Sequence, residues 1–446
     1  MRKLVYAIVF LIVCANGQTQ SITDSLWKIA SNSKLPDTVR LKAADDLTYE
    51  FMYWNNDSAY LFATYTLELA RQKKQTPFVG RALRALGDIA YSKSDYKNSL
   101  KYYYEAYNVK GKGISKASTA ASLANIGLVY RDLGDYERAM ENYFKGLKLF
   151  EEAKDIPGVA LIYTNIGTVH KLLGQNLEAL KYHKKSLAMQ EKLKDKKGIA
   201  LAYSNIGGVY KQMGDLNQAL SYYQKTLALR IANKEIRGQS QTFGDIGSVF
   251  TELNEFDSSL AYLQKSLELS TKIDEKRIIA QAHENLGDLF LKYGKNKESI
   301  RHLENAIAIC KSTGMASQEM SCQQKLYTAL KKEGRAADAL VHFEEYIVLR
   351  DSVFKIDHQK EAARKELDYI YSKKHAADSL KNVADQRIAR AQLQKEKTQK
   401  YALYGGFAVV FIFSFFLYKR FRVTQKQKQI ISEQKRVVEE KQQEII

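Results

Sequence analysis

Five residues spaced forty apart have the chemistry of recognition: Asn125, Asn165, Asn205, Asp245 and Asn285. A carboxamide both donates and accepts a hydrogen bond, so a ladder of asparagines matches the N–H and C=O groups of a peptide main chain. The same column could instead bond the backbone of a neighbouring helix, and the residues alone leave both roles open. Six positions on stand Arg131, Lys171 and Lys211, about 120° further round a helix. These cations could receive a carboxylate or an acidic segment, or form a solvated basic face. No catalytic constellation accompanies either column, so no enzyme, no cofactor and no metal site is expected. His170 and His183 occupy slots held one unit earlier by Tyr130 and Tyr143. Aromatic packing is their expected role, because no metal-ligand spacing surrounds them.

The elements that would carry these columns are legible from composition and spacing. The chain has 446 residues, 45% hydrophobic and 27% charged, which excludes a disordered or uniformly membrane-embedded protein. Only three prolines occur, Pro36, Pro77 and Pro157, so nearly all of the chain is free to be helical. Glycine recurs at Gly87, Gly127, Gly167, Gly207, Gly247 and Gly287. Seven positions later comes a second series: Ser94, Gly134, Gly174, Gly214, Asn254, Gly294 and Gly334. A small column (Ser99, Ala139, Ala179, Ala219, Ser259, Ser299, Ala339) and a bulky one (Tyr103, Tyr143, His183, Tyr223, Leu263, Leu303, Phe343) follow in register. In one unit, Leu123, Ile126, Gly127 and Tyr130 share a helical face. Gly134 ends that helix, and Ala139, Tyr143 and Leu147 of a second helix face back. Such a hairpin cannot bury its face alone, so stacking into a solenoid with a concave surface is predicted.

These residues resemble the tetratricopeptide repeat: apolar-x-x-apolar-Gly-x-x-aromatic in the first helix, Ala-x-x-x-aromatic in the second. The forty-residue period exceeds the usual 34 and is similar to the long-helix variant of kinesin light chains. The fold class implied is all-α, a tetratricopeptide-repeat solenoid over residues 40–354. Six clear units run from about Gly80 to Glu319. A degenerate unit precedes them, with Ala59, Ala63 and Leu67 in register, and another follows from Met320 to Val353 with Tyr327 in the glycine slot. In solenoids of this type an asparagine ladder can bind peptide main chain; if the asparagine and cation columns work together, the expected ligand is an extended, partly acidic peptide or protein segment across the second to fourth repeats.

The two ends of the chain set an expected topology. Met1-Arg2-Lys3 precedes eleven uncharged, mostly apolar residues and then Ala15-Asn16-Gly17, which reads as a secretory signal peptide at 1–17. Residues 18–39 follow as an N-terminal segment. Tyr401 to Tyr418 are eighteen uncharged residues with tyrosine at both ends and lysine or arginine on both flanks. That composition predicts one transmembrane helix at 401–418. Residues 386–400 and 419–433 hold five Lys or Arg each, so flanking charge does not orient the span. The signal peptide does: it places the solenoid in the periplasm, the span in the inner membrane and 419–446 in the cytoplasm. Residues 355–446 carry +9 of the net charge of +19, which attraction to anionic lipid explains without nucleic acid.

Residues 355–400 read as a long charged helix, with a weak seven-residue series from Ile356 to Ala391. Residues 419–446 read as a cytoplasmic coiled-coil linker, with Val423, Ile430 and Val437 beside Ile431, Val438 and Ile445. Both allow a homodimer. Cys310 and Cys322 flank the turn at Gly314–Ala316. They could bridge or remain two buried thiols. The layout resembles the sensory half of bacterial tetratricopeptide-repeat signalling receptors. The expected function is a membrane-anchored scaffold or sensor that binds a peptide or protein and relays to the cytoplasm. Two alternatives stay open. One is the front half of a sensor histidine kinase or serine phosphatase, and the other is an envelope assembly adaptor without signalling.

Overall fold

The computed structural model describes residues 20–52 and 55–443, with the backbone alone for residues 20–21, 352–384 and 442–443. The expected signal peptide and most of the series beginning at Ile356 lie outside the described residues and side chains. Among the described residues there are seventeen α-helices and no strand. In chain order they are α1 (Gln20–Ser31), α2 (Asp37–Met52), α3 (Asn56–Gln72), α4 (Thr76–Ser92), α5 (Tyr96–Asn108), α6 (Lys116–Asp132), α7 (Tyr136–Glu152), α8 (Ile156–Leu172), α9 (Asn176–Leu193), α10 (Lys196–Gln212), α11 (Leu216–Ala232), α12 (Ile236–Glu252), α13 (Phe256–Lys272), α14 (Lys276–Lys292), α15 (Asn296–Thr313), α16 (Ala316–Lys332) and α17 (Ala336–Gln443). The chain divides into two compact units, 1–365 and 366–446.

In the first unit, helices from α2 onward pair as hairpins, and the first helix of each hairpin also touches the first helix of the next. The even-numbered helices therefore form the inner layer of an all-helical solenoid. The glycine column explains how each hairpin closes. A Cβ built on Gly127 would lie 2.6 Å from Cε1 of Tyr143 and 3.1 Å from the carbonyl of Ala139. The bare backbone thus lets the bulky residue of the second helix lie flat against the first. Gly167 stands in the same relation to His183, and Gly247 to Leu263. His183 is buried there, and burial beside Lys171 pulls its pKa down to about 4. Where the small column holds serine, Ser99, Ser259 and Ser299 donate to the carbonyl of the facing glycine at 2.8–3.0 Å. Ala and Ser are interchangeable there because both fit under the glycine.

Each hairpin turn needs one residue in the left-handed region. Gly134, Gly174, Gly214, Gly294 and Gly334 supply it with φ of 70–81°, and Ser94 and Asn254 adopt it at 57° and 62°. A second left-handed series joins one hairpin to the next, and it is held by Lys74, Lys154, Lys194, Lys234 and Asp274 before Gly314. Aspartate caps follow several of these turns, as where Asp135 accepts from the Arg138 amide at 3.1 Å and Asp155 from the Gly158 amide at 2.9 Å.

Beside the buried columns runs a ladder of rings, also at forty-residue spacing. His170 stacks on Tyr182 with centroids 5.3 Å apart, Tyr210 on Tyr222 at 5.6 Å, Phe250 on Tyr262 at 5.4 Å and Phe290 on His302 at 5.5 Å. Tyr163, Tyr203, Phe243 and His283 complete each cluster. Lys185, Lys225 and Lys265 lie 4.9–5.4 Å over these rings. His170 thus packs from the inner helix α8 against Tyr182 of its hairpin partner α9.

The N-terminal segment is also structured. Trp27 of α1 packs edge-on to Phe62 and Tyr65 with centroids 5.6 and 5.8 Å away. The carbonyl of Ala30 accepts from Arg40 Nε and Tyr65 Oη. Residues 20–31 therefore cover the apolar face that the first hairpin, α2 and α3, would otherwise leave open. At the other end, Cys310 and Cys322 are both buried free thiols.

In the second unit, the helix over Asp385–Lys441 is long and apolar enough to cross a membrane, by length and composition, and its residues are exposed in the single chain. Val423, Ile430, Val437, Ile431 and Val438 are likewise exposed along it.

Candidate functional site

The inner-layer helices bring the two candidate columns onto one surface, and this surface is zoned. At its N-terminal end the polar groups are spent on one another. Arg81 pairs with Asp45, and Arg84 donates to Ser118 Oγ at 2.9 Å. Asp88 accepts from Tyr103 Oη at 2.6 Å and from Asn125 Nδ2 at 3.2 Å. Burial raises both Asp45 and Asp88 to about 6. Asn125 therefore bridges α6 to α4. Arg131 is held by its neighbour Asp132 at 2.7 Å, and Tyr91 donates to the same carboxylate.

The C-terminal end is closed in the same manner. Glu284 accepts from Lys325, Ser321 and Gln318 at 2.7–3.1 Å, and Asp288 accepts from Lys325 at 2.6 Å. These bonds tie α14 to α16. Asn285 accepts from Gln281 of its own helix at 3.0 Å.

The middle is different. Asn165 and Asn205 are half-buried on consecutive inner helices. Their side chains make no hydrogen bond among the described residues. Four positions earlier, on the same faces, Leu161 and Leu201 are 49% and 50% exposed. Lys171 reaches across to α10, where its Nζ would lie 2.9 Å from a Cβ on Gly208. The absent side chain of Gly208 is what makes room for it. Burial and the charge of Lys211 push the Lys171 pKa down, while Asp245 opposes this. Lys211 reaches α12 in the same way, donating to Ser248 and pairing with Glu252 at 3.3 Å. Asp245, at the asparagine position of its repeat, has no hydrogen bond or ion pair among the described residues. Burial lifts its pKa to about 6 against the pull of Lys211, Arg230 and Lys171.

Around Asp245 a cavity of about 450 Å³ opens between α12 and α14, with Lys211, Arg237, Gly244, Arg277 and Asn285 on its walls. The structure thus gathers Lys211, Asp245 and Asn285 at one cavity, with Lys171 and the Asn165–Asn205 pair leading to it. Asn125 and Arg131 sit apart, within the closed N-terminal zone. Sequence reasoning missed Arg237, Arg277 and Gly244, and also the charge networks that close the two ends. The signal that could find the networks is charge in the columns three before and one after the glycine, as at Arg84, Asp88, Glu284 and Asp288. Among the described residues no group of three His, Cys, Asp or Glu side chains is placed to hold a metal ion.

The tetratricopeptide repeat sequence profile matches residues 78–152, 158–232 and 239–312, a little over half of the chain. The chain belongs to the tetratricopeptide repeat family. Solved tetratricopeptide-type solenoids share its fold. The apo form of the quorum sensor NprR from B. thuringiensis aligns with a TM-score of 0.54 at 17% identity, covering 74% of this chain and 98% of that one. The Rap conjugation gene regulator of plasmid pLS20, solved in complex with the Phr* peptide, aligns with 0.51 at 13% identity, covering 75% and 96%. A signal transduction ATPase with a tetratricopeptide repeat sensor, from Pyrococcus horikoshii, aligns with 0.55 at 16% identity, covering 81% and 55%. At these identities the likeness is one of fold. No curated protein matches the chain.

Proposed function

We propose that the central groove of this tetratricopeptide-repeat protein binds an extended peptide, or an extended segment of a partner protein. The observation that carries this reading is the pair of unspent amides, Asn165 and Asn205, beside the exposed Leu161 and Leu201. A half-buried carboxamide without a partner is costly unless a ligand or water completes it. Neighbouring helices lie about 8–10 Å apart, which is about three residues of extended chain at roughly 3.3 Å each. Two successive asparagines therefore meet the main chain of one peptide about three residues apart, with the leucines contacting its side chains. Lys171 and Lys211 supply positive charge along the same path. Asn125, Asn285 and Arg131, held by partners within the chain, flank it. The pLS20 regulator was solved with a peptide, so a solenoid of this fold accommodates such a ligand.

The test uses the full chain in detergent micelles and a library of eight-residue peptides. Asn165→Ala with Asn205→Ala is expected to lower peptide retention at least tenfold while thermal unfolding stays unchanged, because these amides bond nothing within the chain. Equal retention by the double variant and the parent would overturn the reading.

The membrane part of the proposal rests on residues 401–418. They form the apolar stretch of the candidate spanning helix. In this reading they anchor the chain once in the inner membrane, with the solenoid in the periplasm and residues 419–446 in the cytoplasm. Binding in the groove is relayed by the pairing of two copies along the exposed Val423, Ile430 and Val437.

A further inference from the structure

The geometry points to a binding site for a small aromatic molecule between α3, α4 and α5, where a ring is missing from the ladder. The ligand class is one or two fused rings carrying a hydrogen-bonding substituent. The site is separate from the groove and does not depend on the peptide-binding reading above.

The register of the repeats locates the gap. The two rings of each stacked pair come from the same two columns, as in His170 with Tyr182 and Phe290 with His302. In the α4–α5 hairpin those columns hold Ala90 and Tyr102. Every later unit has a bulky residue where α4 has Ala90: Tyr130, His170, Tyr210, Phe250, Phe290 and Leu330. A filled site shows what is lost. Phe250 packs in one cluster with Leu216, Leu220, Leu253 and Tyr262. The residues in register with these five are Ala90, Asn56, Tyr60, Lys93 and Tyr102. A methyl group and two polar side chains thus stand where a phenyl ring and two leucines stand elsewhere. Both polar side chains are engaged at the surface. Lys93 donates to Asp57 at 2.7 Å, and Asn56 donates to Ser92 Oγ at 3.1 Å.

What remains is a cavity of about 440 Å³ between the three helices, within the range of about 300–1,000 Å³ typical of small-molecule sites. Leu61, Leu86 and Ile89 give it apolar walls, and Tyr102 presents an aromatic one. A hydrogen bond between Tyr60 and Tyr102 holds that ring in place. A ligand ring entering the gap stacks on Tyr102 as His170 and Phe250 stack on their partners, with centroids 5.3–5.4 Å apart. The Lys93–Asp57 ion pair and Asn98 also line the cavity, and they supply donors and acceptors for a substituent. The surroundings favour a small molecule over a protein partner. Among the described residues of α3, α4 and α5, Tyr60 is the only exposed large apolar side chain. The cavity therefore has no apolar surround of the kind that marks a protein interface.

The experiment follows fluoroindole by fluorine NMR against the full chain in lipid nanodiscs, with empty nanodiscs as the baseline. The parent is expected to broaden the signal saturably. Naphthol should displace the probe about tenfold better than decahydronaphthol, its saturated counterpart, which cannot stack. Ala90→Phe restores the ring that other units carry. It is expected to abolish saturable binding while raising the unfolding temperature. Tyr102→Leu keeps an apolar cavity and should remove the preference for the flat alcohol, so it decides the matter if Ala90→Phe does not fold. No saturable broadening by the parent, unchanged binding by Ala90→Phe, or equal displacement by the two alcohols overturns the site. So does a preference for the flat alcohol that survives Tyr102→Leu.

Discussion

A single carboxylate in an amide ladder has consequences for stability as well as for binding. Asp245 stands where Asn125, Asn165, Asn205 and Asn285 stand in other repeats, and burial raises its pKa to about 6. The charges that face it are Lys171 of α8, Lys211 of α10 and Arg230 of α11, with Tyr223 of α11 nearby. Ser266 and Asn285, from α13 and α14, are uncharged. The folded state holds this proton more tightly than the unfolded chain, so the contribution of Asp245 to stability falls as pH rises from about 4 to 6 and stays low above that. Asp245→Asn is therefore expected to stabilise the protein at pH 7 by about 1–2 kcal/mol. The difference should vanish near pH 4, as read by urea unfolding across pH. A variant less stable than the parent at pH 7 would mean that Asp245 compensates the surrounding cations more than burial costs it. The amide and lysine columns were legible as candidates because they recur at a fixed spacing. Which members are spent inside the chain was not legible, because Asn125 and Arg131 differ from Asn165 and Lys171 only in the neighbours that reach them.

At the scale of elements, the hairpins follow from glycine, small and bulky columns, but the joints between hairpins do not. The inter-hairpin turn holds lysine at φ of 54–57° at Lys154, Lys194 and Lys234, a conformation that costs a non-glycine residue about 1–2 kcal/mol. Lys194→Gly is expected to stabilise the solenoid by about 0.5–1 kcal/mol, the rest being offset by the greater freedom of glycine in the unfolded chain. Lys154→Gly and Lys234→Gly should add to it, because the three turns are separate. Chemical denaturation of the single and triple variants checks this; unchanged midpoints would show that the lysine side chains stabilise the turns by other contacts. No glycine marks these turns until Gly314, so their left-handed conformation is not legible from residue type. The ring ladder at Tyr163, Tyr203 and Phe243 is not legible either, because periodicity shows that residues share a face but not which helix they meet.

For the whole molecule, the expected topology is open to a direct test. Ile430 lies exposed on the helix beyond the candidate span, and the two described cysteines are buried. Ile430→Cys in native membranes is expected to be labelled only after a membrane-impermeant thiol reagent is given access to the cytoplasm. It is also expected to crosslink to a second copy under mild oxidation. Labelling from the outside would reverse the proposed orientation, and the absence of any crosslink would remove the paired relay.

Repetition is what made so much of this protein readable. A period of forty residues repeated six times averages out local ambiguity, so the helical class and the hairpin register were determined by sequence alone. The apolar stretch at 401–418 is equally local, because length and lack of charge are one-dimensional properties. Only the tertiary structure decided where the groove is open. Its ends are closed by ion pairs and hydrogen bonds between residues about forty apart, such as Lys325 with Glu284. Gly244 lies on the wall of its cavity, where a Cβ would come 3.2 Å from Ser266 Oγ and 3.7 Å from Asn285 Nδ2 on the next two helices. Such pairings between successive turns of a solenoid depend on which side chain reaches which neighbour, and no periodicity in the sequence encodes that.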